Sequence, residues 1–282
     1  MPSSYSARTM INQARTLSDD LRQSSDLLVE VRNHTAWITI DREEQGNRLT
    51  PASLAHLRDT ATALAKDART SCVVISGAGA AHFSAGIFNI QLRAAYSKED
   101  ALDIVRLAND AFDAIEALPQ VVVGALNGTV RAGGGELALA CDFRVCAHHA
   151  TMAFHETSYA CFPGAGAPVR LPAVVGAGRA VELMATGREI DADEMLRMGL
   201  VSHVLPADTF RASVAAMAEK IASQGPLGIR GAKRVAQASV LQGPNAAHRL
   251  SWDLRRALEY SSDVDEAIAA HVEQRTAHYL GR

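Results

Sequence analysis

The chain reads as an α/β protein, with a mixed core of roughly 200 residues followed by a helical C-terminal part. Three observations support that reading. Short apolar runs of β-type composition alternate with stretches of helical periodicity through the first half. Glycine-rich turns punctuate them, at residues 77–86 and again at Gly133, Gly134 and Gly135. Beyond Glu156 the signals are helical almost to the end.

Residues 28–31 and 36–41 are short β-type runs separated by the turn residues Asn33 and His34. A helix is expected over 50–66, with Thr50 as N-cap, Pro51 at the first helical position and Leu54, Leu57 and Leu64 as its apolar stripe. Residues 72–76 form a buried strand that runs into the glycine-rich loop. Residues 98–118 have the pattern of a long amphipathic helix closed by Pro119. A strand at 121–126, a glycine turn, a helical run at 136–140 and a strand at 143–147 follow. Helices are expected at 169–175, 178–186, 191–198, 207–224 and 228–241, and a last one over 246–280 with a break near Ser261. Residues 1–25 are rich in Ser and Arg, as in a transit peptide, but Asp19 and Asp20 count against one. The expected organisation is an N-terminal extension over 1–26, helical or disordered, a core over 27–200 and a helical region over 201–282.

Composition excludes several classes. A content of 48% hydrophobic and 21% charged residues suits a soluble globular protein with a sizeable core. A net charge of −3 argues against nucleic acid as a partner, since such binding rests on neutralising phosphates. No apolar run approaches the roughly 18 residues of a membrane span. Cys72, Cys141, Cys146 and Cys161 lie in apolar segments without metal-ligand spacing, as buried thiols of a reducing, cytoplasmic protein would. His148 and His149 have no third ligand nearby, so no metal is expected. The loop GAGAAHFSAG lacks the Lys-Ser/Thr of a phosphate-binding P-loop and the spacing of a dinucleotide fingerprint. No G-x-S-x-G element is present.

The informative stretch is NGTVRAGGGELALACD, residues 127–142, with Glu156 beyond it. A buried strand turns through glycines into a helix, which leaves free backbone N–H groups aimed at one small volume. Only residues without a side chain let a ligand atom approach that backbone closely. Such a cup suits a developing oxyanion, and Glu136 sits one turn inside it. The plainer alternative makes Glu136 a solvated first-turn residue favoured by the helix dipole, and Glu156 a surface strand residue.

Five segments resemble, in order, those of the crotonase superfamily of enoyl-CoA hydratases and isomerases, from about residue 27 to the end. They are Asn47-Arg48-Leu49, Phe83-Ser84-Ala85-Gly86, NGTVRAGGGELALACDFRV, FHETSYACFPGAG and ATGREIDADEMLRMGLVSHVL. The resemblance implies a spiral of ββα units, a helical C-terminal region that packs in trimerisation, and a homotrimer or dimer of trimers. It also implies an acyl-CoA thioester as substrate, with coenzyme A as part of that substrate and no separate cofactor. By position it gives the oxyanion donors as the N–H groups of Ala85 and Gly133, Glu136 as the water-activating base and Glu156 as the α-proton donor. The implied reaction is hydration of a 2-enoyl-CoA or its reverse. Isomerisation, thioester or carbon–carbon hydrolysis, and non-catalytic acyl-CoA binding are the alternatives.

Departures from the family pattern mark candidate substrate contacts. Phe88 and Asn89 stand near a usual Ala-Asp pair, and Arg48 replaces a small residue. Arg131 occupies an often apolar position in the cup, either facing a neighbouring carboxylate or solvent, or pairing with a polar group on the acyl chain. Lys233 and Arg275 are candidates for coenzyme A phosphates, and Tyr260 for the acyl pocket. His155 is read as a strand residue facing away from Glu156.

Overall fold

The structure, a computed structural model, describes residues 26–282, so the N-terminal extension expected from the sequence lies almost wholly outside the described residues. A hairpin starts it: β1 (Leu27–Arg32) and β2 (Thr35–Ile40) are antiparallel. Asn33 and His34 close it at φ of 49° and 60°, the left-handed pair that matches the twist of the flanking strands. Parallel to β2 run β3 (Cys72–Gly77), β5 (Val121–Leu126), β7 (Phe143–Ala147) and β10 (His203–Leu205), giving a six-stranded sheet in the order β1-β2-β3-β5-β7-β10.

Alternation along these strands divides the core in two. Val73, Ile75, Val122 and Cys146 face the main core, where α1 (Pro51–Leu64) and α3 (Lys98–Glu116) pack together. Cys72, Val74, Val123 and Val145 face the other way, onto Phe210, Val214 and Ala218 of α8 (Phe210–Ala222). Burial on both faces explains why these strands read as continuous apolar runs. Thr50 caps α1 as expected, and the cap is a reciprocal box, in which Ser53 N–H donates to Thr50 Oγ1 at 3.0 Å and Thr50 N–H to Ser53 Oγ at 2.7 Å.

A second sheet has the order β4-β6-β8-β9, from β4 (His82–Ser84), β6 (Thr129–Arg131), β8 (Thr151–Ala153) and β9 (Ile190–Asp191). Each of β4, β6 and β8 follows a strand of the large sheet after a sharp turn, which repeats the ββα unit. At two or three residues these strands are too short to carry a periodic signal, and the sequence reading passed over them. Asn47 and Asn127 hold the turns between sheets. Asn127 Oδ1 accepts from Gly77 N–H at 2.9 Å, and Asn47 Nδ2 donates to the carbonyls of Ala78 and His82 at 2.9 and 2.7 Å.

The short helices α2 (Ile90–Ala95) and α4 (Gly133–Ala140) flank the site. Beyond them come α5 (Ala167–Val175), α6 (Ala177–Thr186), α7 (Ala192–Arg197), α9 (Pro226–Leu241), α10 (Pro244–Glu259) and α11 (Ser262–Val272). The expected break near Ser261 is real: Ser261 caps α11 through Val264 N–H. Residues 201–282 are not purely helical, because β10 completes the large sheet and α8 covers its outer face. Packing therefore runs without a break across residue 200.

Candidate active site

The glycines of α4 are dictated by their neighbours. A Cβ on Gly133 would meet Ile87 Cγ1 at 2.7 Å, one on Gly134 the Ser84 carbonyl oxygen at 2.6 Å, and one on Gly135 the Phe154 ring at 2.7 Å. Ala132, at φ of 49°, turns the chain into the helix, and all of α4 is buried. This packing sets Glu136 in a protein wall rather than in solvent, so the surface alternative fails for it.

Glu136 Oε1 accepts two backbone N–H bonds, from Ala165 at 2.7 Å and Ala167 at 3.1 Å. Burial pushes its carboxyl up to about 7, opposed by those two donors and by the Arg170 guanidinium. Glu156 opens a 3₁₀ turn, Glu156–Tyr159, and is not a strand residue. Its Oε2 is buried without a hydrogen-bond partner among the described residues. Burial pushes Glu156 up to about 7 as well; its own backbone N–H opposes this and the nearby Glu136 adds to it. Both carboxylates line one cavity of about 430 Å³, walled largely by apolar side chains. Among the described residues no cluster of His, Cys, Asp and Glu is arranged to hold a metal ion, and no helix is long and apolar enough to cross a membrane.

The cavity corrects the first backbone donor. Ala85 N–H is committed to the Gly46 carbonyl at 2.8 Å, and Ala85 is absent from the cavity wall. Gly86, at φ of 85°, then reverses the chain and puts Ile87 on the wall beside Gly133. The Ile87 nitrogen lies 3.4 Å from where a Cβ on Gly133 would stand, and no acceptor among the described residues takes its N–H. Ile87 and Gly133 are thus the neighbouring wall residues with uncommitted N–H groups. The signal for Ile87 was the glycine before it: a left-handed residue redirects the next N–H, two places beyond Ala85.

Of the six residues marked as substrate contacts, only Phe88 lines the cavity, with its ring edge-on to Tyr96 at 6.2 Å. Arg48 instead clamps the loop, donating from Nη1 to the carbonyls of Ala85 at 3.2 Å and Phe88 at 2.8 Å. Arg131 turns away, onto Thr151 and an ion pair with Glu189, the plainer of its two readings. Lys233 is 5% exposed, paired with Asp142 at 2.7 Å and bonded to the Gln120 carbonyl at 2.8 Å, so no phosphate reaches it. Arg275 is held by Glu266 and Glu273 at 2.6 Å, and Tyr260 is 83% exposed at the end of α10, outside the cavity.

Other wall residues escaped the sequence reading. The strand ends at Ala153, so His155 does not alternate away; it lines the cavity, its imidazole held below the usual range by burial and then by Arg131 and Arg48. Cys161 is exposed on the same wall, whereas Cys72, Cys141 and Cys146 are buried as expected. Ile90, Leu102 and Phe162 are exposed apolar residues that line the cavity.

The chain is similar to known proteins over most of its length. Residues 30–282 match the family model for enoyl-CoA hydratase/isomerase. The chain is 31% identical over 257 residues to the crotonyl-CoA hydratase of Syntrophomonas wolfei, spanning 91% of this chain and 98% of that one. It is 31% identical over 261 residues to the 2,3-dehydroadipyl-CoA hydratase of Escherichia coli, spanning 92% and 100%. The solved enoyl-CoA hydratase of Bacillus anthracis superposes with a TM-score of 0.87 at 36% identity, over 91% of this chain and 100% of that one. The chain belongs to the enoyl-CoA hydratase/isomerase family, within the crotonase superfamily.

Proposed function

We propose that the protein adds water across the double bond of a 2-enoyl-CoA to give a 3-hydroxyacyl-CoA, or runs the reverse dehydration. One observation carries the reading: a buried carboxylate, Glu136, and a part-buried one, Glu156, share a cavity with two uncommitted backbone N–H groups. Such donors are worth most where charge develops, and removing one from an oxyanion hole typically costs about 3–4 kcal/mol of transition-state stabilisation.

The thioester oxygen sits between the N–H groups of Ile87 and Gly133, which draw electron density from Cβ through the conjugated double bond. Glu136, ionised, removes a proton from water as its oxygen bonds to Cβ. Glu156, protonated, delivers its proton to Cα. The product has gained one water, and the pair resets when a proton returns from Glu136 to Glu156 through solvent. The environments support that division of labour. Two N–H donors and Arg170 favour the ionised form of Glu136, whereas Glu156 Oε2 has no donor and faces the charge of Glu136. Double-bond isomerisation needs only one acid, and hydrolysis of the thioester gives no use for the second.

Loss of the enoyl-thioester absorbance of crotonyl-CoA, followed together with free-thiol release, tests the reading. Rapid loss without thiol release is expected. Thiol release would make the protein a hydrolase, and no change on crotonyl-CoA or on longer, branched or acidic 2-enoyl-CoAs would refute hydration.

A further inference from the structure

We infer that Arg170 and Asn109 are positioning residues that aim the Glu136 carboxylate through the turn between Phe162 and Ala167. The inference rests on the hydratase reading of the cavity and goes past it to what holds the base in place.

The two N–H groups that hold Glu136 Oε1 belong to Ala165 and Ala167, on either side of Gly166 at φ of 113°. A turn of this kind sets donor directions only as well as its own carbonyls are held. Two of them are held from outside. Asn109 of α3 donates from Nδ2 to the Gly164 carbonyl at 2.8 Å, and Arg170 of α5 donates from Nη1 to the Ala165 carbonyl at 3.3 Å. Arg170 is in turn fixed against α3, with Nε to Glu116 at 2.9 Å and Nη2 to Asp113 at 2.5 Å. Its side chain is 8% exposed, while both acids are far more open to solvent. The planar fork therefore spends its geometry on three partners at once, which an ammonium on a flexible stem cannot reproduce.

The same helix walls the cavity through Ala101, Leu102 and Val105, one to two turns before Asn109. α3 thus touches the space for the acyl chain and, through Asn109 and Arg170, the turn that orients the base. The charged groups bearing on Glu136 are Arg170 from α5 and Glu156 from the 3₁₀ turn, with Asp113 and Glu116 of α3 facing Arg170 from the other side. Loss of the Arg170 charge and loss of the N–H donors act in the same direction, each favouring protonated Glu136.

The test has two arms on the full chain. In the first, the Glu136 carboxyl is titrated by ¹³C NMR in a Glu156→Gln background, so that the proton belongs to one site, with Glu136→Gln giving the assignment. Arg170→Gln is expected to raise that titration by about one unit, and Arg170→Lys, which keeps the charge, by less. In the second arm, with Glu156 intact, Arg170→Gln and Arg170→Lys are expected to lower kcat about 10- to 100-fold on crotonyl-CoA while KM changes little, because a carboxylate displaced by a fraction of an ångström loses its attack geometry. Asn109→Ala, which removes one grip and no charge, is expected to lower kcat severalfold at unchanged KM and melting temperature, and it decides the matter should Arg170→Gln not fold. A wild-type Glu136 titration in Arg170→Gln, or a wild-type kcat in Asn109→Ala, would overturn the inference. The first arm needs no substrate, so it reads the positioning even where crotonyl-CoA is not hydrated; absence of hydration by wild type would refute the hydratase reading alone.

Discussion

The Ile87 side chain fills the space where a Cβ on Gly133 would stand, with Cγ1 at 2.7 Å and the Ile87 nitrogen at 3.4 Å. The two segments that furnish free N–H groups are therefore in contact through the missing side chain. Gly133→Ala must displace the side chain of Ile87, the residue that carries the other free N–H. The expected result is a loss in kcat of about 10²–10³-fold, the scale of losing one oxyanion donor. Steady-state kinetics on crotonyl-CoA, with circular dichroism to confirm the fold, check it; near-normal kcat in a folded Gly133→Ala protein would exclude this pair as the hole.

The carboxylates also make a pH signature. Hydration needs Glu136 ionised and Glu156 protonated, and burial moves both groups up to about 7. Rate should fall toward acid as Glu136 takes a proton and toward alkali as Glu156 loses one, so kcat/KM is expected to be bell-shaped with its maximum near neutrality, both limbs belonging to the coupled pair.

The same shifts have a stability consequence. A folded-state pKa raised above that of the unfolded chain means the native state holds more protons between roughly pH 4.5 and 7. The stability this confers is complete at acid pH and is lost as pH rises through about 7, where a buried carboxylate must ionise. Glu156→Gln, neutral at every pH, is expected to melt higher than wild type at pH 8 and close to it at pH 5. Thermal melts at the two pH values would contradict the environment drawn for Glu156 if the variant melted lower at pH 8.

Lys233 illustrates a basic residue whose role the structure reverses. Burial raises the Asp142 carboxyl, and Lys233 opposes that rise through a 2.7 Å ion pair. Lys233→Ala would leave the part-buried Asp142 with the Val122 N–H and Gln237 but without its ion-pair partner, at a cost of about 1–3 kcal/mol. Urea denaturation is expected to show that loss, with KM for the acyl-CoA unchanged in the folded protein. A raised KM with unchanged stability would return Lys233 to the phosphate site.

Assembly is a separate expectation. On the C-terminal helices α9 and α10, Val240, Leu241 and Trp252 are exposed apolar side chains, and the family resemblance implies that this region packs in a trimer. Light scattering on the eluting protein is expected to give a trimer or a dimer of trimers; a monomer at micromolar concentration would contradict it.

Much of this was legible in the chain because the relevant signals are local. The N-cap at Thr50, the left-handed turn at Asn33 and His34, and the glycines before Glu136 all report on their own neighbourhood. The short strands β4, β6, β8 and β9 did not show, since two or three residues hold no period and their pairing partners are distant in sequence. Site chemistry failed for a related reason. Arg131 and Lys233 carry the right charge for substrate groups, but their partners Glu189 and Asp142 are 58 and 91 residues away and only the fold brings them together. Ala85 was displaced by Ile87 because the direction of an N–H depends on the φ and ψ of the residue before it, which sequence does not state for a glycine.

The proposed hydration uses both carboxylates of one cavity. The most direct test is the rate of crotonyl-CoA hydration by wild type, Glu136→Gln and Glu156→Gln, each shown to be folded. Each substitution alone is expected to lower kcat by about 10²–10⁴-fold, the usual worth of a general acid or base. Hydration by either variant within about tenfold of wild type, below that usual range, would contradict the two-carboxylate mechanism.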